Sequence, residues 1–188
     1  MEREAAKTTA KPGDPSPYSA LAKFFKAYIF VNMSLKVGDL PMSDALKGLS
    51  LDKPKYDSQK QIFLQSLQLL DEANTQLGQL IGAANTSLLG DFYFQEKISS
   101  PYDALTALKK WQRVVNAFKL RVLIHLSNKE ADADLNVKAK FAEVLANPVK
   151  YPLMNDLSDN WEYVYNSAYN YYPNNASNFG FDALRLCV

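Results

Sequence analysis

Apolar residues recur at helical spacing along much of the chain, most densely in residues 111–126, WQRVVNAFKLRVLIHL. One stripe of that segment is formed by Trp111, Val114, Val115, Phe118, Val122 and Leu126. Further apolar residues lie off the stripe, and a helix that is apolar around most of its circumference is buried on more than one side. The pattern therefore predicts a helix inside a stack, with Arg113, Lys119 and Arg121 pointing out of it.

Two earlier helices are predicted from the same periodicity and from capping residues. Ser16 and Pro17 are residue types preferred at the N-cap and first turn, and Gly38 ends this first helix. Asp57 is the predicted N-cap of the second helix, which closes at residues 78–82. The period-2 alternation typical of strands is scarce throughout. These elements predict an all-α fold of tetratricopeptide-like antiparallel helix pairs with long irregular loops.

The later helices are bounded less clearly. Ser100 and Pro101 open the helix that contains Trp111, or a short turn ahead of it. A fourth helix is predicted from about residue 132 to residue 146, where Asn147 and Pro148 end it. Its predicted inward positions are Val137, Phe141, Val144 and Leu145.

The texture of the chain changes at residue 155. Residues 155–181 contain eight aromatic residues and seven asparagines but almost no Leu, Ile or Lys. We therefore expect a flexible lead-in at residues 1–16, a helical scaffold at residues 17–154 and an irregular segment at residues 155–188. The chain stops in an apolar run, FGFDALRLCV, which suggests a truncated protein.

The aromatic and asparagine-rich segment is the main candidate binding site. Rings stack on the C–H face of a sugar, and amide groups exchange hydrogen bonds with its hydroxyls. Rings also lose little conformational entropy on binding. The predicted ligand-binding residues are Trp161, Tyr163, Tyr165, Tyr169, Tyr171, Tyr172 and Asn174. The alternative is that these rings pack the segment onto the helices.

Other polar residues favour structural roles. Asp39 and Asp91 stand in Gly-Asp turns, where a carboxylate accepts backbone hydrogen bonds. Glycoside hydrolysis needs a matched pair of carboxylates, which the sequence does not nominate. Trp111, Asn116 and Arg121 are expected to pack or to satisfy neighbouring loops. Calcium ligands of the right type occur at Asn155, Asp156, Asp159 and Asn160, but their spacing matches no EF-hand loop.

Composition excludes several classes of function. The 21 basic and 20 acidic residues give a net charge of +1, which offers no electrostatic footprint for nucleic acid. Cys187 is the only cysteine and His125 the only histidine, so neither a disulfide framework nor a cysteine-based zinc site is predicted. No cofactor or metal is predicted.

Three segments, in this order, resemble the SusD/RagB family of Bacteroidetes. They are AKFFKAYIFVNMSLKVGDLPMSDALKG, the run from YDSQKQIFLQSLQLLDEA to GDFYF, and KKWQRVVNAFKLRVLIHLS. The resemblance covers roughly residues 18–160. It implies a helical, tetratricopeptide-like scaffold in a surface lipoprotein of the outer membrane, although a signal peptide and a lipid-bearing cysteine are absent from this chain.

The resemblance also implies a function without catalysis. A protein of this family captures an oligosaccharide at the cell surface and delivers it to a SusC-like, TonB-dependent β-barrel transporter. The first alternative is a helical-repeat scaffold that binds a peptide or a protein in a groove. The second is a glycan hydrolase, which would need two close carboxylates in a cleft.

Overall fold

The computed structural model describes most of the chain between residues 15 and 163. The described residues are 15–45, 47, 51, 53–85, 87–91, 93–94 and 103–163. Their α-helices are α1 (Pro17–Val37), α2 (Gln59–Gly82), α3 (Ala104–His125) and α4 (Val137–Ala146). Short 3-10 turns follow at Ser127–Lys129 and Leu157–Asp159. Extended pairing within these ranges is limited to one bridge between Leu40 and Asp57, so the all-α prediction is confirmed.

α1 and α2 run antiparallel and share a long interface. Lys23 of α1 forms an ion pair with Glu72 in the middle of α2. Where α1 ends and α2 begins, the side-chain amide of Gln59 donates to the backbone oxygen of Ser34 at 2.8 Å. Apolar side chains of both helices, including Phe24, fill the space between these polar contacts. The pair buries one face of each helix, as their periodicity requires.

α3 packs antiparallel against α2 and also contacts α1 through aromatic rings. Gln112 of α3 donates from Nε2 to the side-chain oxygen of Asn74 at 3.1 Å. The two helices are close here, as the space at Gly78 of α2 shows. A Cβ added to Gly78 would lie 3.3 Å from that same Nε2. α3 is buried along most of its length, with Trp111 and Val115 among its inaccessible residues. The prediction that this helix is enclosed on more than one side is confirmed.

Capping explains where the helices begin and end. Gly38 follows α1 with φ +83°, a conformation that disfavours side chains, and its N–H donates to Ser34 at 2.8 Å. α2 begins after a capping box of Ser58 and Gln61, in which each side chain accepts from the other's backbone N–H. The prediction of Asp57 as N-cap is therefore wrong. Asp57 instead accepts from the N–H of Ser43 at 2.6 Å and ties down the α1–α2 loop.

The starts of α3 and α4 were less clear in the sequence. Asp103 caps α3 by accepting from the N–H of Leu105 at 3.0 Å, so the helix begins after Ser100 and Pro101. The alternative, a short turn opened by those two residues, lies outside the described residues. α4 begins at Val137 rather than near residue 132, because Asp132 accepts from backbone N–H groups of the next residues and forms a turn. Within α4, Val137 and Val144 are buried, whereas Leu145 is exposed and was wrongly predicted to point inward.

Lys119 also differs from its predicted outward position. Only 1% of this residue is exposed, and its ammonium group pairs with Asp71 of α2. The same ammonium group lies 4.7 Å from the ring centre of Tyr151. A buried cation needs such partners, and α2 and the chain after α4 supply them.

None of the helices described is long and apolar enough to cross a membrane. Residues 1–14 and 164–188, which include parts of the predicted lead-in and aromatic segment, lie outside the described residues.

Candidate functional site

The chain after α4 returns across α3 and is fixed there by Asp159. This carboxylate is 1% exposed and accepts from Arg113 Nη1 at 2.7 and 2.9 Å. Lys110 Nζ lies 3.3 Å from the same group and donates to the Ser158 backbone oxygen at 2.6 Å. The N–H of Asn155 adds a bond of 3.0 Å. Two cations of α3 thus fix the 3-10 turn Leu157–Asp159.

The environment of Asp159 keeps it ionised. Burial acts to raise the pKa of this carboxyl, because it removes water from the charged form. The N–H of Asn155 and the cations Arg113 and Lys110 outweigh burial, so the pKa lies below its usual value. The charge is therefore present throughout the neutral pH range.

Trp161 follows this turn by two residues and inserts its ring among aromatic side chains of three segments. Ring centroids lie 4.9 Å from Tyr28, 5.2 Å from Phe24, 5.5 Å from Tyr93 and 6.1 Å from Trp111. The contacts with Tyr28 and Phe24 are edge-on, which aromatic pairs favour. The buried Trp161 Nε1–H has no hydrogen-bond partner among the described residues.

An open cavity of about 780 Å³ lies beside this aromatic cluster, between α1 and α3. Its apolar wall comes from Phe25, Tyr28, Ile29, Tyr93, Val114, Ala117, Phe118, Met154 and Trp161. Polar groups come from Arg121, Asn160 and Glu162. An apolar cavity with a few polar groups, in this size range, is the usual form of a small-ligand site.

Tyr93 is positioned at the cavity by Asp91. The buried carboxylate of Asp91 accepts from the N–H of Tyr93 at 2.9 Å, the N–H of Phe94 at 3.2 Å and Trp111 Nε1 at 2.8 Å. Burial raises the pKa of the Tyr93 phenol, with smaller contributions from Tyr163, Tyr28 and Asp91. The phenol therefore stays protonated and can donate a hydrogen bond.

The predicted turn role of Asp91 is thus confirmed, and Asp39 behaves similarly. Asp39 accepts from the N–H of Gln59 at 2.8 Å and joins the end of α1 to the start of α2. Asn116 satisfies a loop as predicted, by donating to Pro152 O at 3.0 Å. Arg121 does something different, because it is exposed and lines the cavity.

The structure brings two of the predicted ligand-binding residues to this place. Trp161 lines the cavity, and the ring of Tyr163, 44% exposed, lies 5.9 Å from that of Tyr93. The other five predicted positions lie outside the described residues: Tyr165, Tyr169, Tyr171, Tyr172 and Asn174.

Sequence reasoning did not find the part of the wall that α1 and Tyr93 supply. Phe25, Tyr28 and Tyr93 line the cavity but were not among the predicted ligand-binding residues. The sequence did contain a signal for these residues, because α1 has more aromatic residues at neighbouring positions than one packed helix face requires.

The oxygen ligands considered for calcium in the sequence have other partners where the structure describes them. Asp159 is bound to Arg113 and Lys110. Within the described ranges, His, Cys, Asp and Glu residues form no group of three or more that could bind a metal ion.

Comparison with known proteins identifies the family. A family model for SusD-like proteins, described as starch-binding and associating with the outer membrane, matches residues 1–181. The chain belongs to the SusD-like family. The resemblance stated from three sequence segments is therefore confirmed.

Solved structures of SusD-like proteins show the same helical, tetratricopeptide-like fold. Two SusD homologues from Bacteroides fragilis share 32% and 35% identity with this chain, with TM-scores of 0.74 and 0.71 over 94% and 92% of it. An outer-membrane protein from Bacteroides vulgatus, described in connection with nutrient binding, shares 33% identity with a TM-score of 0.71 over 92% of the chain.

The SusD-like chain spans only about a third of the length of these solved relatives. It covers 34%, 33% and 35% of the two B. fragilis chains and the B. vulgatus chain. No curated protein matches it.

Proposed function

We propose that this SusD-like protein binds an oligosaccharide in the cavity between α1 and α3, without breaking a bond in it. The observation that supports this most directly is the composition of the cavity wall. The rings of Tyr28, Tyr93 and Trp161 stand beside the polar side chains of Arg121 and Asn160. This combination suits a sugar, which has an apolar face and a hydroxyl rim.

The hydrogen-bonding state of the cavity residues favours a polar ligand. The protonated phenol of Tyr93 can donate a hydrogen bond. A sugar hydroxyl both accepts and donates, so it can satisfy such a group where a purely apolar ligand cannot.

The family supports a carbohydrate as the ligand class and the outer membrane as the place. Its members are described as starch-binding and associating with the outer membrane. We extend this to a cell-surface lipoprotein that transfers its oligosaccharide to a SusC-like, TonB-dependent transporter. Catalysis needs a tuned pair of carboxylates. Around the cavity, Glu162 is the only described carboxylate in the wall.

The test is calorimetric titration with a series of malto-oligosaccharides, and with non-starch oligosaccharides of equal length. Tyr163→Ala removes a half-exposed ring that packs against Tyr93 of the cavity wall, and it should weaken binding about fivefold to tenfold, roughly 1–1.4 kcal/mol. Arg121→Gln should weaken binding as well, since it removes a charged donor from the wall. Tyr56→Ala is the matched control, because Tyr56 is an exposed tyrosine of the α1–α2 loop that does not line the cavity.

Equal losses in Tyr163→Ala and Tyr56→Ala would argue against this cavity as the site. The absence of binding to every oligosaccharide in the series would argue against glycan capture by this chain.

One observation favours a peptide as the second candidate ligand. Ile29, Met33 and Val37 form an exposed apolar stripe on α1 at four-residue spacing, and Ile29 also lines the cavity. An apolar stripe beside a groove is typical of sites that take an amphipathic helix. A titration with amphipathic and extended peptides, in which Met33→Gln should weaken binding, distinguishes this candidate from the first.

A further inference from the structure

Part of the cavity wall comes from a stretch of chain after α4 that has no regular helix to hold it. Asn160, Trp161 and Glu162 all line the cavity, and all follow the 3-10 turn Leu157–Asp159. Helices α1 and α3 are fixed by their own hydrogen bonds, whereas an irregular stretch must be fixed by side-chain contacts. The position of these three residues therefore depends on whatever secures the turn.

The contacts that secure the turn converge on Asp159. Arg113 binds both carboxylate oxygens, at 2.9 and 2.7 Å, and Lys110 approaches one of them at 3.3 Å. Asn155 closes the turn by donating its N–H to the second oxygen at 3.0 Å. With 1% of the residue exposed, water cannot replace these partners if the charge is removed.

We propose that Asp159 is the positioning residue of this site: its buried carboxylate, bound to Arg113 and Lys110 of α3, sets the place of the Trp161 ring in the cavity wall. This inference rests on the proposed function only for its effect on ligand affinity. The effect on Trp161 itself follows from the contacts alone.

Other acidic residues near the turn do not have this arrangement. Asp156 is exposed, and its side chain accepts only from within the turn, from the N–H of Ser158 at 2.6 Å. Ser158 accepts from Lys110 through its backbone oxygen and hydroxyl, at 2.6 and 2.8 Å, but offers no charge to Arg113. Asp156 is therefore the natural control: it is the N-cap of the same turn and has the same side chain, but its hydrogen bond is to Ser158, and Lys110 of α3 acts on it only at longer range.

Asp159→Asn would keep the shape of the side chain but disrupt its hydrogen bonds and ion pairs. Asn has one acceptor oxygen and an NH₂ group, which would face either the Asn155 N–H or the Arg113 guanidinium, both of which are donors. Lys110 and Arg113 would also lose their shared counter-charge. We expect the turn to detach from α3 and the Trp161 ring to sample several positions.

The experiment uses the whole 188-residue chain labelled with 5-fluorotryptophan. The chain has two tryptophans, so ¹⁹F NMR gives one resonance for Trp161 and one for Trp111 as an internal reference. A Trp161→Phe sample assigns them. Asp159→Asn should shift and broaden the Trp161 resonance much more than that of Trp111, whose ring lies 6.1 Å away and should stay in its folded chemical-shift range, while Asp156→Asn should change neither.

Ligand binding gives the second readout. Where the parent chain binds an oligosaccharide, Asp159→Asn should weaken that binding about fivefold. In the variant, binding must order the Trp161 ring, which is already ordered in the parent chain. Asp156→Asn should bind as the parent does. If the parent binds no oligosaccharide, the proposed function fails, yet the Trp161 resonance still decides whether Asp159 positions the ring.

Two outcomes would overturn the proposal. One is an unchanged Trp161 resonance in folded Asp159→Asn. The other is an equal disturbance of both tryptophans with loss of folded signal, combined with an unchanged Trp161 resonance in Arg113→Gln. That second variant removes half of the ion-pair arrangement at a less buried position, so it keeps the test decisive if Asp159→Asn does not fold.

Discussion

Lys119 shows how a single buried charge joins three parts of this molecule. Its ammonium group lies between Asp71 of α2 and the ring of Tyr151, which follows α4. The Tyr151 hydroxyl in turn donates to Glu143 of α4 at 2.9 Å. The cation is 2% exposed at its side chain, whereas the Asp71 side chain is 42% exposed. The two halves of the ion pair therefore differ in what their loss costs.

We expect Asp71→Asn to destabilise the protein more than Lys119→Met. The first variant leaves a buried cation without a counter-charge, at a cost of about 3 kcal/mol. The second leaves a carboxylate that water can reach and places an apolar chain of similar length in the core, at a cost of about 1 kcal/mol or less. Urea unfolding of both variants gives the free energies. A larger loss in Lys119→Met would contradict this account.

Asp91 is the acceptor that orients two aromatic residues of the site. Asp91→Ala leaves the N–H groups of Tyr93 and Phe94 and the indole N–H of Trp111 without their acceptor. We expect a loss of roughly 3 kcal/mol or more in the free energy of unfolding, since each buried donor left unsatisfied costs about 1–3 kcal/mol.

Asp91→Asn is the matched control for that loss. Its amide oxygen can still accept from the N–H groups of Tyr93 and Phe94, while its NH₂ group faces the Trp111 N–H, so the cost should be smaller than that measured for Asp91→Ala by the same chemical denaturation. Equal losses in the two variants would mean that the charge, not the acceptor geometry, is what matters.

The roles of Asp91 and Lys119 were predicted from the sequence, but the residues that they contact were not. Asp91 was predicted to fix a turn, and the structure adds that it also binds Trp111, 20 positions away. Lys119 was predicted to point outward because it lies off the apolar stripe of α3. Its burial depends on Asp71 and Tyr151, whose approach is a tertiary event that the helical period of α3 does not encode.

At the scale of helices, the capping box of α2 is expected to contribute to the stability of the protein. Ser58→Ala removes the acceptor for the Gln61 N–H and should cost about 1 kcal/mol in thermal or chemical unfolding. Gln79→Ala, an exposed change in the last turn of the same helix, should be neutral within roughly 0.5 kcal/mol. A neutral Ser58→Ala would show that packing of α2 alone determines where it begins.

The turn Leu157–Asp159 should respond to acid in one direction. The pKa of Asp159 is lowered in the folded state, so its stabilisation is present above the ordinary carboxyl pKa of about 4 and is lost as the pH falls through the lower, folded value. We expect the ¹⁹F resonance of Trp161 to be constant from pH 8 to pH 5 and to change only below about pH 4. A change centred near pH 6 would contradict the ionised anchor.

Periodicity predicted the described helices, but their first residues depended on competing local bonds. Asp57 and Ser58 are both good N-caps, and the box is completed by Gln61, three residues after Ser58. That signal was in the sequence. The late start of α4 was harder to see, because Asp132 is also a good cap but bonds to a turn instead. The site lies where α1, α3 and the Asp159 turn meet, so no single segment revealed it.

At the scale of the whole molecule, one face of α1 remains open. Ile29, Met33 and Val37 are exposed by 50%, 45% and 67%, in line along the helix. Ile124 of α3 is also exposed, and both helices flank the cavity. Contiguous apolar surface of this kind is typical of a binding face and promotes association when nothing covers it. The solved SusD-like relatives are about three times as long as this chain.

We therefore expect the 188-residue chain to self-associate, and a double variant, Ile29→Gln with Met33→Gln, to reduce that association. Sedimentation velocity at several concentrations measures it directly. Val149→Gln is the control, because Val149 is 95% exposed but stands in a loop after α4, away from the stripe. The double variant should shift the distribution towards monomer by roughly tenfold in the association constant, since it removes two apolar side chains worth about 1 kcal/mol or more in burial. A chain that is already monomeric at high concentration would mean that the stripe is covered by other parts of the same chain, and the surface would then have no role in association.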